Sequence, residues 1–543
     1  MNDLAKLFTE VKDGRTVVLE KDRIYHIRQD DSLVLKGFFC SNSAKFDENP
    51  EGTRYTAVYL NNKKNVVIDG NGATVLVHGK MTPMLFYRCE NITVKNLTVD
   101  YAVPTMTEFT VIDNNDGILT IKINPDCLYL IEGNTLFWCS EKGSDGEYYW
   151  KNAGNAPKRY IKVLDPVSET TRDFRREDLS FSHIEELEKN VLRCTLINKD
   201  APLFKGDIVQ TRNIIRDQVG SMFERCKNLL FENMRVKFMH GLGMVSQYCE
   251  NITFRNCDLT PKKGRTIAST ADFFQFSGCK GRIIIDSCKA RGAQDDYVNV
   301  HGTHLRIVGR DDEKNSITVR FMHPETWGFQ AYDEGDRIEF IKWDTLKPFA
   351  QATVKSFEKL NETDIRLFLD APLPSFETGK DVIENATYTP DVHIKNCTFG
   401  PTSGRGILTT TRGKVIIENN SFTKLWGPAL LIEDDCNFWF ESGYTDEIIF
   451  RDNDVCACNF GGVYEGGPVI QYSPKVMNEA SHETVHGRLF VYANSFSGSF
   501  SGKHTVNLSY LNEAEICDNS FDAPLEINIK NCGDVKNERN ILV

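Results

Sequence analysis

One interval recurs through the chain and limits its fold more than any other feature. Cys226 and Cys249 lie 23 residues apart, as do Asn228 and Asn251, and Asn233 and Asn256. A fixed period of roughly 20 to 50 residues marks a solenoid, in which each repeat buries its apolar face only by stacking on its neighbours. Each unit here is a short β-rich run, an Asn or Asp-Gly turn and a second run, as in NNKKNVVIDGNGATVLV and MLFYRCENITVKNLTVDY. Asn at equivalent turns (Asn65, Asn91, Asn228, Asn251) tolerates left-handed backbone and can bond its copy in the next coil.

The period also carries acids. In the stretch from Ala271 to Gly302, Asp272 precedes the adjacent pair Asp295 and Asp296 by one repeat. Stacked strands of a parallel sheet would bring Asp272 to roughly 5 Å from that pair. Carboxyls so close cannot all ionise normally, which points to acid/base chemistry. Neighbours on a regular strand face opposite ways, so Asp295 and Asp296 reach one groove only through a bend, which Gly292 permits. Asn299 and His301 follow in VNVHG, and His301 is expected to donate to a substrate hydroxyl or to tune a carboxylate. His240, Gln247 and Arg265 are further groove candidates. Trp426 and Trp439 are flat surfaces for a sugar's apolar face, and Glu433, Asp434 and Asp435 read as a solvated turn.

Taken in order, the chain divides into an entry cap and first coils (1–104), an inserted β module (105–212), coils with the acids (213–302), a second inserted β module (303–388) and closing coils (389–543). The first insertion holds a hairpin candidate at Asp116-Gly117. A formal net charge of −12 argues against nucleic acid and anionic membrane partners. Most of the sixteen cysteines occupy one recurrent slot, as in RCENITV, RCKNLLF and YCENITF, or end a strand, as in RNCDL, DSCKA and KNCTF, and are expected to be buried free thiols. That usage, and a start without a secretory apolar stretch, predict a cytoplasmic protein, or a secreted or periplasmic one if a leader has been removed. The flat faces of a long solenoid leave room for a homodimer.

An Asp, two adjacent Asp about one coil later and then a His resemble the layout of polygalacturonase-like glycosidases. TADFFQFSGCKG and QDDYVNVHGTH are more closely similar to glycoside hydrolase family 110, bacterial α-1,3-galactosidases that remove the terminal galactose of the blood group B determinant. The resemblance implies an all-β, right-handed parallel β-helix interrupted by two small β-barrel-like insertions. It further implies exo-acting hydrolysis with inversion, a galactose-terminated glycan as partner, and neither metal nor organic cofactor. Catalysis would depend on Asp295 and Asp296 with Asp272 beside them, and Gln275 in the first motif joins the substrate-binding set. Two alternatives stay open: another β-helix glycosidase acting on a galacturonan, and a non-catalytic glycan-binding β-helix. No R-I-K triplet for a uronate is evident, which favours a neutral galactoside.

Overall fold

The computed structural model describes residues 3–156 and 159–543. Its strands form three long sheets of twelve strands each, which run the length of a parallel β-helix. The first runs from Thr16–Val18 to Asp534–Glu538, the second from Ile24–Arg28 to Ile541–Leu542, and the third from Val58–Asn61 to Leu525–Lys530. Leu229 pairs with Ile252 and Met222 with Val245, so the 23-residue interval is the rise of one coil.

Alternation within each strand builds the core. In Glu250–Arg255, Ile252 and Phe254 are buried while their neighbours are partly or fully exposed. Their copies stack: Ile92, Leu229, Ile252, Ile283, Val392, Val415, Ile448 and Leu489 form one buried column. Burying each such side chain contributes about 1.5–3 kcal/mol, which only the next coil makes available. At the turns, Asn65, Asn91, Asn228 and Asn251 all have φ between 55° and 58°. The amides of Asn91, Asn228 and Asn251 each donate to the preceding copy at 2.8–2.9 Å. All sixteen cysteines are free thiols, and all but Cys456 and Cys532 are buried. The short helix Asp3–Thr9 covers the first coil with Leu4 and Phe8.

Two insertions interrupt the helix. The first is a seven-stranded antiparallel sheet between Thr107–Asn115 and Ile208–Asn213, with a three-stranded sheet sharing its core. Its first hairpin turns at Asp116 and Gly117, both with positive φ. The second, from Leu305–Asp311 to Val382–Asn385, closes into a six-stranded barrel. It leaves the helix directly after Val298–Thr303, the strand that follows the acidic pair.

Candidate active site

Phe274–Ser277 and Val298–Thr303 pair in parallel, Phe274 with Val298, so Asp272 and Asp296 hold the same place on successive coils. Next to them, Phe273 and Tyr297 stack in the core at 5.4 Å with 4° between the ring planes. With these rings seated inside, Asp272 and Asp296 both line one cleft. Gly292, at φ +77°, bends the chain ahead of the pair, and a Cβ there would meet the Thr266 carbonyl oxygen at 2.1 Å. Beyond the bend the path is irregular up to the strand at Val298, and Asp295 and Asp296 open into the same cleft. One oxygen from each of Asp272, Asp295 and Asp296 lies within 4.8 Å of the other two.

Two arginines meet this charge. Arg405 donates to both oxygens of Asp296, at 2.6 and 2.9 Å, and to Asp295 at 3.2 Å. Arg216 donates to the other oxygen of Asp295 at 3.3 Å. Three carboxyls facing two guanidiniums balance when one proton is bound. Burial and the hydrogen-bond pattern favour Asp272 as the seat of that proton. Asp272 receives no guanidinium hydrogen bond among the described residues; it accepts from the Asp296 N–H at 3.3 Å. Burial, then the charges of Asp295 and Asp296, push its carboxyl well above the usual range, and the arginines do not offset them. Asp296, 1% exposed, is raised to about 7, chiefly by burial, against the pull of Arg405. Asp295 is the open member, with 32% of its side chain exposed.

Polar and aromatic groups complete the cleft. Glu441 accepts from the amides of Asn42 and Asn299 at 2.5 and 3.5 Å, Lys475 pairs with Glu433, and Trp439 and Phe438 stand at the edge. Arg216, Arg405 and Lys475, the cations lining it, are all matched by carboxylates.

The second insertion matches the family model described as GLAA-B beta-barrel domain II over residues 316–383. The α-1,3-galactosidase A of Bacteroides fragilis is 34% identical over 505 residues, which span 91% of this chain and 80% of that protein. That of Akkermansia muciniphila is 38% identical over 453 residues, 82% and 72% of the two chains. The chain belongs to the α-1,3-galactosidase family. The α-1,3-galactosidase B of Bacteroides thetaiotaomicron is 31% identical, with 89% of this chain and 77% of that protein covered. A Family 28 exopolygalacturonase from Yersinia enterocolitica superposes with a TM-score of 0.35 at 10% identity, over 99% of this chain and 75% of that one.

The structure sorts the other residues proposed from the sequence of this family member. Asn299 lines the cleft. His301 does not: it is buried beside the short antiparallel strand Glu441–Ser442, with Nδ1 2.7 Å from the Gly302 carbonyl and Nε2 3.9 Å from Glu441. Gln247 and Gln275 are buried under the segment that follows Phe38. Gln247 bonds the backbone of Phe39 and Ser41, Gln275 bonds that of Ser41, and the segment carries Asn42 into the cleft. Arg265 lies away from the acids, clamping the first insertion through Asp126 at 3.1 Å and the Met106 carbonyl. Trp426 packs beneath the Lys162 ammonium, 4.1 Å from the ring centre. His240 is bonded to Asp217 and Thr105 at 2.9 and 2.7 Å.

The acidic turn at 433–435 is not a simply solvated one: Asp434 and Asp435 are buried, and Glu433 and Asp435 line the cleft. Asp434 pairs with His304 at 3.0 Å, and Asp435 accepts from the backbone N–H groups of Asn437, Phe438, Trp439 and Phe440. The sequence reading missed Arg405 and Arg216. Val298 pairs with Ile407, so Arg405 stacks on Asp296; excising 303–388 from the repeat count would have exposed that match. Arg216 and Asn42 come from non-repeating segments and carry no such signal.

Proposed function

We propose that the protein is an exo-acting α-1,3-galactosidase that removes a terminal α-1,3-linked galactose with inversion. The observation that carries the reading is the carboxyl trio, one member kept protonated by burial and the others held by guanidiniums, at the base of a cleft in a chain of this family. Asp272 donates its proton to the glycosidic oxygen as the bond to the anomeric carbon breaks. Asp295, open to the cleft, removes a proton from the attacking water, and Asp296 supports it through the shared Arg405. A general acid and a general base each contribute typically 10²–10⁴-fold. The oxygen spacing is shorter than the roughly 6.5–9.5 Å usual between inverting carboxyls, so water enters beside the trio, on the exposed side of Asp295. Every cation lining the cleft among the described residues is already paired, which favours a neutral galactoside over a uronate.

The test is release of galactose from the blood group B trisaccharide and from linear α-1,3-galactobiose, with the first anomer formed followed by proton NMR. β-Galactose from either substrate supports the reading, and release from the trisaccharide alone restricts it to the branched antigen. α-Galactose as first product overturns inversion, and cleavage of neither substrate overturns the activity. Asp272→Asn should retain turnover of an aryl α-galactoside whose leaving group needs no proton, whereas Asp295→Asn should lose both kinds of substrate.

A further inference from the structure

Phe438 and Trp439 are 57% and 47% exposed, side by side at the edge of a mostly charged cleft. Large aromatics left in water beside a binding cleft commonly mark a contact surface. These two are also held rigidly. The Asp435 carboxylate accepts from four successive backbone N–H groups, 437 to 440, which fixes the loop on which they stand. The second barrel seats that loop from below. Arg306 donates to the Cys436 carbonyl at 3.1 Å, Asn437 donates to the Trp343 carbonyl at 3.0 Å, and His323 stacks on the Trp439 ring at 4.4 Å. The barrel loop with His323 also holds Asn42, whose backbone N–H donates to Thr326 at 3.1 Å.

We infer that Trp439, backed by His323, is the stacking platform for the sugar that follows the scissile bond, so that the second inserted barrel builds the acceptor side of the cleft. The inference rests on the galactosidase reading and adds the acceptor contact to it. The trio, Asn299 and Glu441 offer oxygens and amides that suit the hydroxyls of the sugar being released. An indole face offers none and suits the apolar face of a pyranose ring. His323 is a positioning residue: burial lowers its pKa, so it meets the indole as a neutral ring.

The experiment compares the blood group B trisaccharide with α-galactosyl fluoride, which carries no acceptor sugar. For Trp439→Ala, KM for the trisaccharide should rise about tenfold, or about 1.4 kcal/mol, while kcat/KM for the fluoride stays within about twofold. His323→Ala should show a weaker version of the same split, and His323→Phe, which keeps the stacking ring, should restore the trisaccharide KM. Equal losses on both substrates would show that Trp439 serves the released galactose or the fold, and no loss on either would show that it touches no substrate; each overturns the platform. If the unmutated protein cleaves neither substrate, the galactosidase reading fails and the platform falls with it. Normal cleavage by the unmutated protein, with Trp439→Ala unchanged, sinks the platform alone.

Discussion

Replacing Asp296 with Asn tests the electrostatics of the trio directly. Asp296 titrates near 7 in the folded protein and near 3.9 in an unfolded chain. An acid whose folded pKa is raised binds a proton that the unfolded state has already lost, so its contribution to stability is complete below about pH 4. That contribution is lost as pH rises through about 7. Three units at 1.36 kcal/mol each set the scale at about 4 kcal/mol. This is a ceiling, because Asp272 and Asp295 share protons with Asp296 and spread the transition. Asn keeps the shape but does not titrate, and the loss of its bond to Arg405 is an offset constant with pH. The assay is urea unfolding of both proteins from pH 4 to pH 8. The stability of the unmutated protein relative to Asp296→Asn should fall by up to about 4 kcal/mol between pH 4 and 7 and then level. A flat difference curve, or one that rises with pH, would refute the burial argument for Asp296.

Three further outcomes follow from the same geometry. Gly404→Ala places a Cβ 1.9 Å from the Asp295 carbonyl oxygen; the backbone must shift, and kcat should drop at least about 100-fold on the scale of a 1 Å misplacement, as steady-state assays would show. Arg405→Lys keeps the charge but loses the two-pronged grip on Asp296, so unfolding should cost about 1–3 kcal/mol less and kcat should fall more than KM changes. Asn228→Ala removes the amide between Asn91 and Asn251 at φ 55°, and calorimetry should show a loss of about 1–2 kcal/mol, with hydrolysis unaffected because the ladder lies outside the cleft.

The solenoid, its coil length, the Asn ladder and the stacking of Asp272 on the acidic pair were legible in the chain because each depends on residues one period apart. Stacking turns such a sequence interval into a spatial contact without further information. What escaped the sequence is everything that enters the cleft from outside the repeat. Asn42 arrives on a cap segment and Arg216 at the exit of the first insertion. His301, Gln247 and Gln275 read as ligands because polar side chains near acids invite that reading, yet neighbouring segments cover them. By itself the sequence determined the scaffold and the column of acids, since period and alternation specify which side chains stack and which face outward. Only the tertiary structure decided which guanidiniums neutralise the acids, which carboxyl keeps its proton and which aromatic faces the cleft. Those depend on contacts across 79 residues for Arg216 and 109 for Arg405 and on burial, and neither is written in local pattern.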